Sequence, residues 1–504
     1  MAGRWKFPAA LVVMLAAPLS AQTGAPVPLA EDGPVPASTT RHSMVLPAGR
    51  IAYRATWFEH VLRDAQGQPQ ATISAIAYVR ELPRGAAARR PVLFAFNGGP
   101  GASSSPLHMN GIGPRLLWPR DPAGNRQLLA NPDTLLDVAD LVFIDPVGTG
   151  FSRPLRAGGG KPYWSGPGDA GAVLDLVRAW LTREGRGQSP LIFMGESYGG
   201  YRLGLMATDM ADLPVAGIVL VSPALEFSRQ ADQQAIDSLP SMAVAAWLRH
   251  RRADDSRSAA QVWDEARVLA QGDYAAALQH GSALGEAEAA RLAARLAGLL
   301  HLPETTIRAA NLRVPVQQFL EQVVPGQVVG RLDTRIVAPQ VVRIGDPPDR
   351  PAAARDPALG LGRSNVILSP PIGAYLRDDL GVRTRRDYVS LTLDVNFAWD
   401  FRPADPRPPF NPNVADNLGD LLAAKPGARL LAYGGYFDLA TPALATQYGI
   451  THSRIPPGRV RFAFGPSGHS VFEGESRPAA TATLREFIAQ ATGNDHAEKA
   501  RQGE

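Results

Sequence analysis

The chain has 504 residues, 45% of them hydrophobic and 19% charged, no cysteine, and a formal net charge of +4. This is the composition of a globular protein with a sizeable core, and it excludes a disordered, collagen-like or disulfide-stapled chain. The missing cysteines also exclude thiol nucleophiles, thiolate metal sites and lipidation of an N-terminal cysteine.

In chain order, Arg4 and Lys6 precede an apolar stretch from Phe7 to Leu19 and the small residues Ser20 and Ala21. This layout predicts a signal peptide over residues 1–21 and export, to a bacterial periplasm or medium given the Ala-, Arg- and Pro-rich composition. A retained anchor is the alternative, although the stretch is short for a membrane span and no later one is apolar enough. Without residues 1–21 the net charge falls to +2. The basic clusters at residues 249–252 and 383–386 are short and followed by acidic residues, which predicts solvated faces and no nucleic-acid partner.

Residues 22–43 are polar and Pro-rich and predict a flexible lead. Arg50 to Leu62 and Gln70 to Glu81 are rich in β-branched and aromatic residues and flank Asp64-Ala65-Gln66-Gly67, an antiparallel hairpin pattern. Short apolar runs then recur at 91–96, 141–144, 190–194 and 215–221, with an amphipathic segment at 169–182 and a helix-like one at 201–210. Continuous apolar runs suit strands buried on both faces, and their alternation with helices predicts a mostly parallel sheet of the α/β class.

The rhythm breaks after Leu225. Residues 225–425 are largely helical and then irregular, which predicts an inserted cap; the core therefore comprises residues 44–224 and 426–492, with a polar tail at 493–504. In the second core part, strands at 428–433 and 460–464 end in Gly434-Gly435-Tyr436-Phe437-Asp438 and Gly465-Pro466-Ser467-Gly468-His469, before a last helix at 479–490.

The chain is organised around Gly195-Glu196-Ser197-Tyr198-Gly199, set between an apolar strand and a helix. A G-x-S-x-G there is a nucleophile elbow, whose strained turn lifts the serine hydroxyl above the sheet. Serine needs a base and a group to orient that base, in the order Ser, acid, His for the α/β-hydrolase fold. His469 alone among nine histidines sits in a Gly-containing loop directly after a late strand; His452 lies beyond a helix, where a surface role fits. Asp438, at a strand end, is the expected acid, with Asp400 as rival and helix N-capping as its alternative role. Tyr198 and the Gly98-Gly99 pair are the expected sources of oxyanion-hole amides. Neither a phosphate loop nor a metal-binding motif is present in the sequence, so no cofactor or metal is expected.

Asn97-Gly98-Gly99-Pro100-Gly101-Ala102-Ser103-Ser104, Phe143 to Ser152, Gly195 to Gly200 and the loops bearing Asp438 and His469 resemble the signature blocks of the serine carboxypeptidases, peptidase family S10. The resemblance implies an α/β-hydrolase fold with Ser197, Asp438 and His469 as the triad and Gly99 with Tyr198 as oxyanion donors. It also implies peptide substrates with a free C-terminus, held through Asn97, Gly98 and Glu196. The family's second glutamate falls here at Gly111, and its usual cysteine at Ala102. An esterase or acyltransferase on the same machinery is the alternative function, and a noncatalytic binding protein on a hydrolase scaffold a third.

Overall fold

The computed structural model describes residues 27–47, 49–87, 89–117, 128–227, 229–340, 355–362, 364–401 and 413–493. The expected signal peptide, and the tail beyond residue 493, lie outside them.

Nine strands make one sheet: β1 (Ser38–Leu46), β2 (Gly49–Arg63), β3 (Pro69–Arg80), β4 (Val92–Phe96), β5 (Asp140–Asp145), β6 (Leu191–Glu196), β7 (Val215–Val221), β8 (Arg429–Gly435) and β9 (Val460–Gly465). Their spatial order is β1-β2-β3-β5-β4-β6-β7-β8-β9. The first three are antiparallel, as the hairpin pattern predicts, and β5 onward are mutually parallel.

Every residue of β4, β5 and β6 is buried, which explains their unbroken apolar runs. Successive side chains point to opposite faces. Phe94, Phe96 and Phe193 therefore enter one layer with Val173, Val177 and Trp180, while Leu93, Ala95, Ile192 and Met194 enter the other with Leu484 and Phe487. Each such large apolar side chain contributes on the order of 2 kcal/mol by leaving water. The first layer is carried by α1 (Gly166–Glu184), α2 (Tyr198–Met206) and α6 (Ala415–Ala424), and the second by α8 (Arg477–Ala491). The Ser165 hydroxyl caps the start of α1, and Gly185 ends it in a left-handed conformation.

Two details differ from the sequence expectation. The lead over 22–43 is ordered in its described part: residues 38–43 belong to β1, and the Asp32 carboxylate accepts bonds from Arg386 and Thr384, each at 2.7 Å. Pairing with β2 and this ion pair to the buried Arg386 supply the order that the polar composition conceals. The inserted region is also not all cap. Its helices α3 (Ala231–His250), α4 (Ala259–Leu269) and α5 (Glu286–Leu300) share an apolar core with Phe437, Leu439 and Leu444 beyond β8, and α6 packs Leu418 and Leu421 into the sheet layer beside Leu203 of α2. Among the described residues no helix is long and apolar enough to cross a membrane.

Candidate active site

The parallel strands β4, β6, β8 and β9 run the same way, so their C-terminal ends deliver Asn97, Ser197, Asp438 and His469 to one edge of the sheet. Ser197 joins β6 to α2 with φ of 61° and ψ of −126°, a strained conformation for a residue with a side chain. The turn is held by the Ser197 N–H on the Val221 carbonyl and by the Gly200 and Ala224 N–H groups on the Ser197 carbonyl. A Cβ at Gly195 would collide with the Gly199 carbonyl, which explains that glycine of the motif.

The His469 Nδ1 lies 2.8 Å from Asp438 Oδ2. The other carboxylate oxygen accepts the Ala440 and Thr441 N–H groups at 2.7 and 3.1 Å, and the Thr441 hydroxyl donates to Oδ2 at 2.7 Å. Burial alone would push the Asp438 carboxyl up, but His469 and these hydrogen bonds outweigh it and hold it below its ordinary value. Burial opposes a charged His469; Asp438 first and Glu196 next outweigh that and raise it. An ionised Asp438 only accepts, so the Nδ1 of His469 carries the proton and Nε2 is left as the basic nitrogen. Asp438 does not cap the following helix, α7 (Ala443–Thr451), whose N-cap is Pro442. Asp400 pairs its backbone N–H with the Trp164 carbonyl, and His452 is exposed against Tyr448.

The Asn97–Gly101 loop lies directly against the start of α2. A Cβ at Gly98 would strike the Tyr198 amide nitrogen and come within 2.7 Å of that of Gly199. Gly99 follows with φ of 103° in a turn closed by the Ala102 N–H on the Gly98 carbonyl at 3.1 Å. Asn97 Nδ2 donates to Glu196 Oε1 at 2.8 Å, and the Ser470 hydroxyl donates to the same oxygen at 3.2 Å. Burial pushes the Glu196 carboxyl up to about 8; His469 opposes this, whereas Glu473 and then Asp438 add to it. Asp438 thus meets His469, Asn97 meets Glu196, Gly98 lies against Tyr198, and Ser470 links the His469 loop to the residue before Ser197.

Residues 78–211 match the serine carboxypeptidase family model. That segment carries Asn97, Gly98, Gly99, Glu196, Ser197 and Tyr198; Asp438 and His469 lie beyond it. Among solved structures, the prohormone-processing carboxypeptidase Kex1 of Saccharomyces cerevisiae is 14% identical, with a TM-score of 0.56 over 88% of this chain and 92% of its own. The peroxisomal α/β-hydrolase Lpx1 of the same yeast is 10% identical with a TM-score of 0.34, over 94% of this chain and 91% of its own. The esterase RhEst1 of a Rhodococcus species is 16% identical with a TM-score of 0.34, over 86% and 98%. No curated protein matches the chain. The fold is that of the α/β hydrolases, and the serine carboxypeptidase match supports a serine hydrolase.

Three contributors were not singled out in the sequence. The segment Arg331–Thr334 of the insertion clamps both late loops: the Leu332 carbonyl accepts the His469 N–H at 2.8 Å, the Arg331 carbonyl accepts that of Leu439 at 2.9 Å, and the Thr334 N–H donates to Phe437 at 2.9 Å. The Asp356 carboxylate in turn accepts the N–H groups of Arg331 and Leu332. Trp399 and Phe227 pack on Tyr198 with ring centroids 5.3 and 6.2 Å away, giving an aromatic wall beside the expected oxyanion donor. Ser470 completes the Glu196 contacts. Only its place after His469 could have marked it; the others depend on long-range packing with no local signal.

Proposed function

We propose that this protein is an exported serine carboxypeptidase that releases a C-terminal amino acid from peptides. The observation that carries this reading is the buried Asn97–Glu196 pair, which adjoins both Ser197 and the His469 loop. A carboxyl held at about 8 keeps its proton at neutral pH and can donate to a substrate carboxylate, as can an asparagine amide. The amino acid motif of residues 1–21 supports export.

In this mechanism Ser197 Oγ attacks the carbonyl carbon of the last peptide bond while His469 Nε2 takes its proton. The Gly99 and Tyr198 N–H groups receive the oxyanion. His469 then returns the proton to the leaving nitrogen, the C–N bond breaks, and the free amino acid departs from an acyl-Ser197 intermediate. Water, deprotonated by His469, attacks that ester and restores the serine. Asp438 stays ionised throughout and holds the imidazole in its working tautomer.

Mass spectrometry of matched peptides with free and amidated C-termini tests the reading. The free-acid peptides should lose one residue at a time and the amides should be poor substrates; equal cleavage of both contradicts it. The missing side chain at Gly111 favours a second reading, an esterase or acyltransferase on the same residues. A screen on small esters with and without an acceptor alcohol separates the two, and efficient ester turnover without peptide cleavage would favour the second.

A further inference from the structure

Two carboxyl groups from different loops influence each other electrostatically near His469. Glu196 precedes Ser197 and is buried, while Glu473 lies four residues beyond His469 and is half-buried. Glu473 Oε1 accepts a hydrogen bond of 2.7 Å from Asn110 Nδ2. Ser470 ties the two residues together: its hydroxyl donates to Glu196 at 3.2 Å, and its carbonyl accepts the Glu473 N–H at 3.3 Å. Gly111 lies against the same segment: a Cβ there would stand 3.1 Å from the Cβ of Phe472, a tight contact that the bare backbone avoids.

We propose that Glu473 is a specificity-determining residue that acts with Glu196 to select substrates ending in a free carboxylate. This rests on the carboxypeptidase reading above. Two like charges that repel in this way are costly to form together, so the pair favours keeping one proton. Glu196 keeps it, because its burial disfavours charge most, and Glu473 is the strongest of the neighbouring charges that push the same way. Glu473, half-buried, accepts the Asn110 amide and is attracted electrostatically to Arg335, contacts that favour its charged form over that of Glu196. The other groups facing Glu196 are His469 and Asp438, of opposite effect, and the hydrogen-bonding side chains of Asn97 and Ser470. Arg335 also faces Asp333 and Glu475. A substrate carboxylate arriving at Glu196 therefore meets an O–H donor, and the negative charge that secures this donor is placed on a partly solvated side chain.

The test measures kcat/KM for a matched free-acid and amide peptide pair across the neutral and alkaline range, for the wild type, Glu473→Gln and Glu473→Asp. The wild type should prefer the free acid, with the preference falling as Glu196 ionises. In Glu473→Gln that fall should move to lower pH, because removing a like charge eases ionisation; for a move of about one pKa unit the preference should drop roughly twofold at neutral pH and roughly tenfold on the alkaline side of the transition. Glu473→Asp, which keeps the charge, should stay near the wild type. A wild-type preference retained in Glu473→Gln with an unmoved alkaline fall overturns the proposal, as does an equal loss on both peptides with no change in their ratio. A wild type that cleaves acid and amide alike overturns the carboxypeptidase reading itself and the proposal with it.

Discussion

His469 Nδ1 and Asp438 Oδ2 stand 2.8 Å apart, and the carboxylate of this pair has no solvent exposure. In the proposed mechanism the carboxylate fixes which ring nitrogen carries the proton, and it would stabilise the imidazolium formed when Ser197 is deprotonated. Asp438→Asn keeps the shape but can present an N–H toward Nδ1, which favours the wrong tautomer. The expected loss in kcat is on the order of 10⁴-fold with little change in KM. Steady-state kinetics on the variant check this; a loss of only a few-fold would mean that Asp438 does not orient the base.

Glu196 links the site to stability. Its folded value of about 8 lies above the ordinary glutamate value of about 4.3. Between the two, the folded chain holds a proton that the unfolded chain has released, so rising pH favours unfolding across that window. Glu196→Gln should flatten this loss of Tm. His469, also raised, contributes a slope of the same sign, so the difference between variant and wild type is the readout. Thermal unfolding from about pH 5 to about pH 8 checks it, and parallel curves would contradict the raised carboxyl.

Gly98 tests the close approach of the early loop to α2. In Gly98→Ala the new methyl would press on the Tyr198 amide and on that of Gly199, displacing the expected oxyanion donors. The expected fall in kcat is on the order of 10²–10³-fold, comparable to losing one donor. Pre-steady-state acylation of Ser197 with an activated ester measures it directly. Acylation at the wild-type rate would place the oxyanion donors elsewhere.

Much of this site was legible because its parts are local. The strands that lead to Asn97, Ser197, Asp438 and His469 are mostly apolar runs that pass into glycine-bearing loops, so these loops could be assigned to one sheet edge before any contact was known. Strand β1 escaped because an edge strand gains its order from pairing, and Ser38–Leu46 alternates exposed polar residues with partly buried ones. Helix α6 has an apolar stripe but stands after a long irregular stretch, and its sequence carries no sign that it returns to the sheet. The clamp at Arg331–Thr334 acts through backbone groups that any residue possesses. Glu473 is four residues from a recognised histidine, but its partner Asn110 is 363 positions away.

Covalent modification of Ser197 tests the central claim most directly. The intact protein treated with a fluorophosphonate should gain one phosphonyl adduct, peptide mapping should locate it at Ser197, and Ser197→Ala should remain unmodified. The rate should rise with pH through a His469 transition set above the ordinary histidine value, since the neutral imidazole is the active form. A folded wild-type protein that takes no adduct, or takes it equally in Ser197→Ala, would contradict the account.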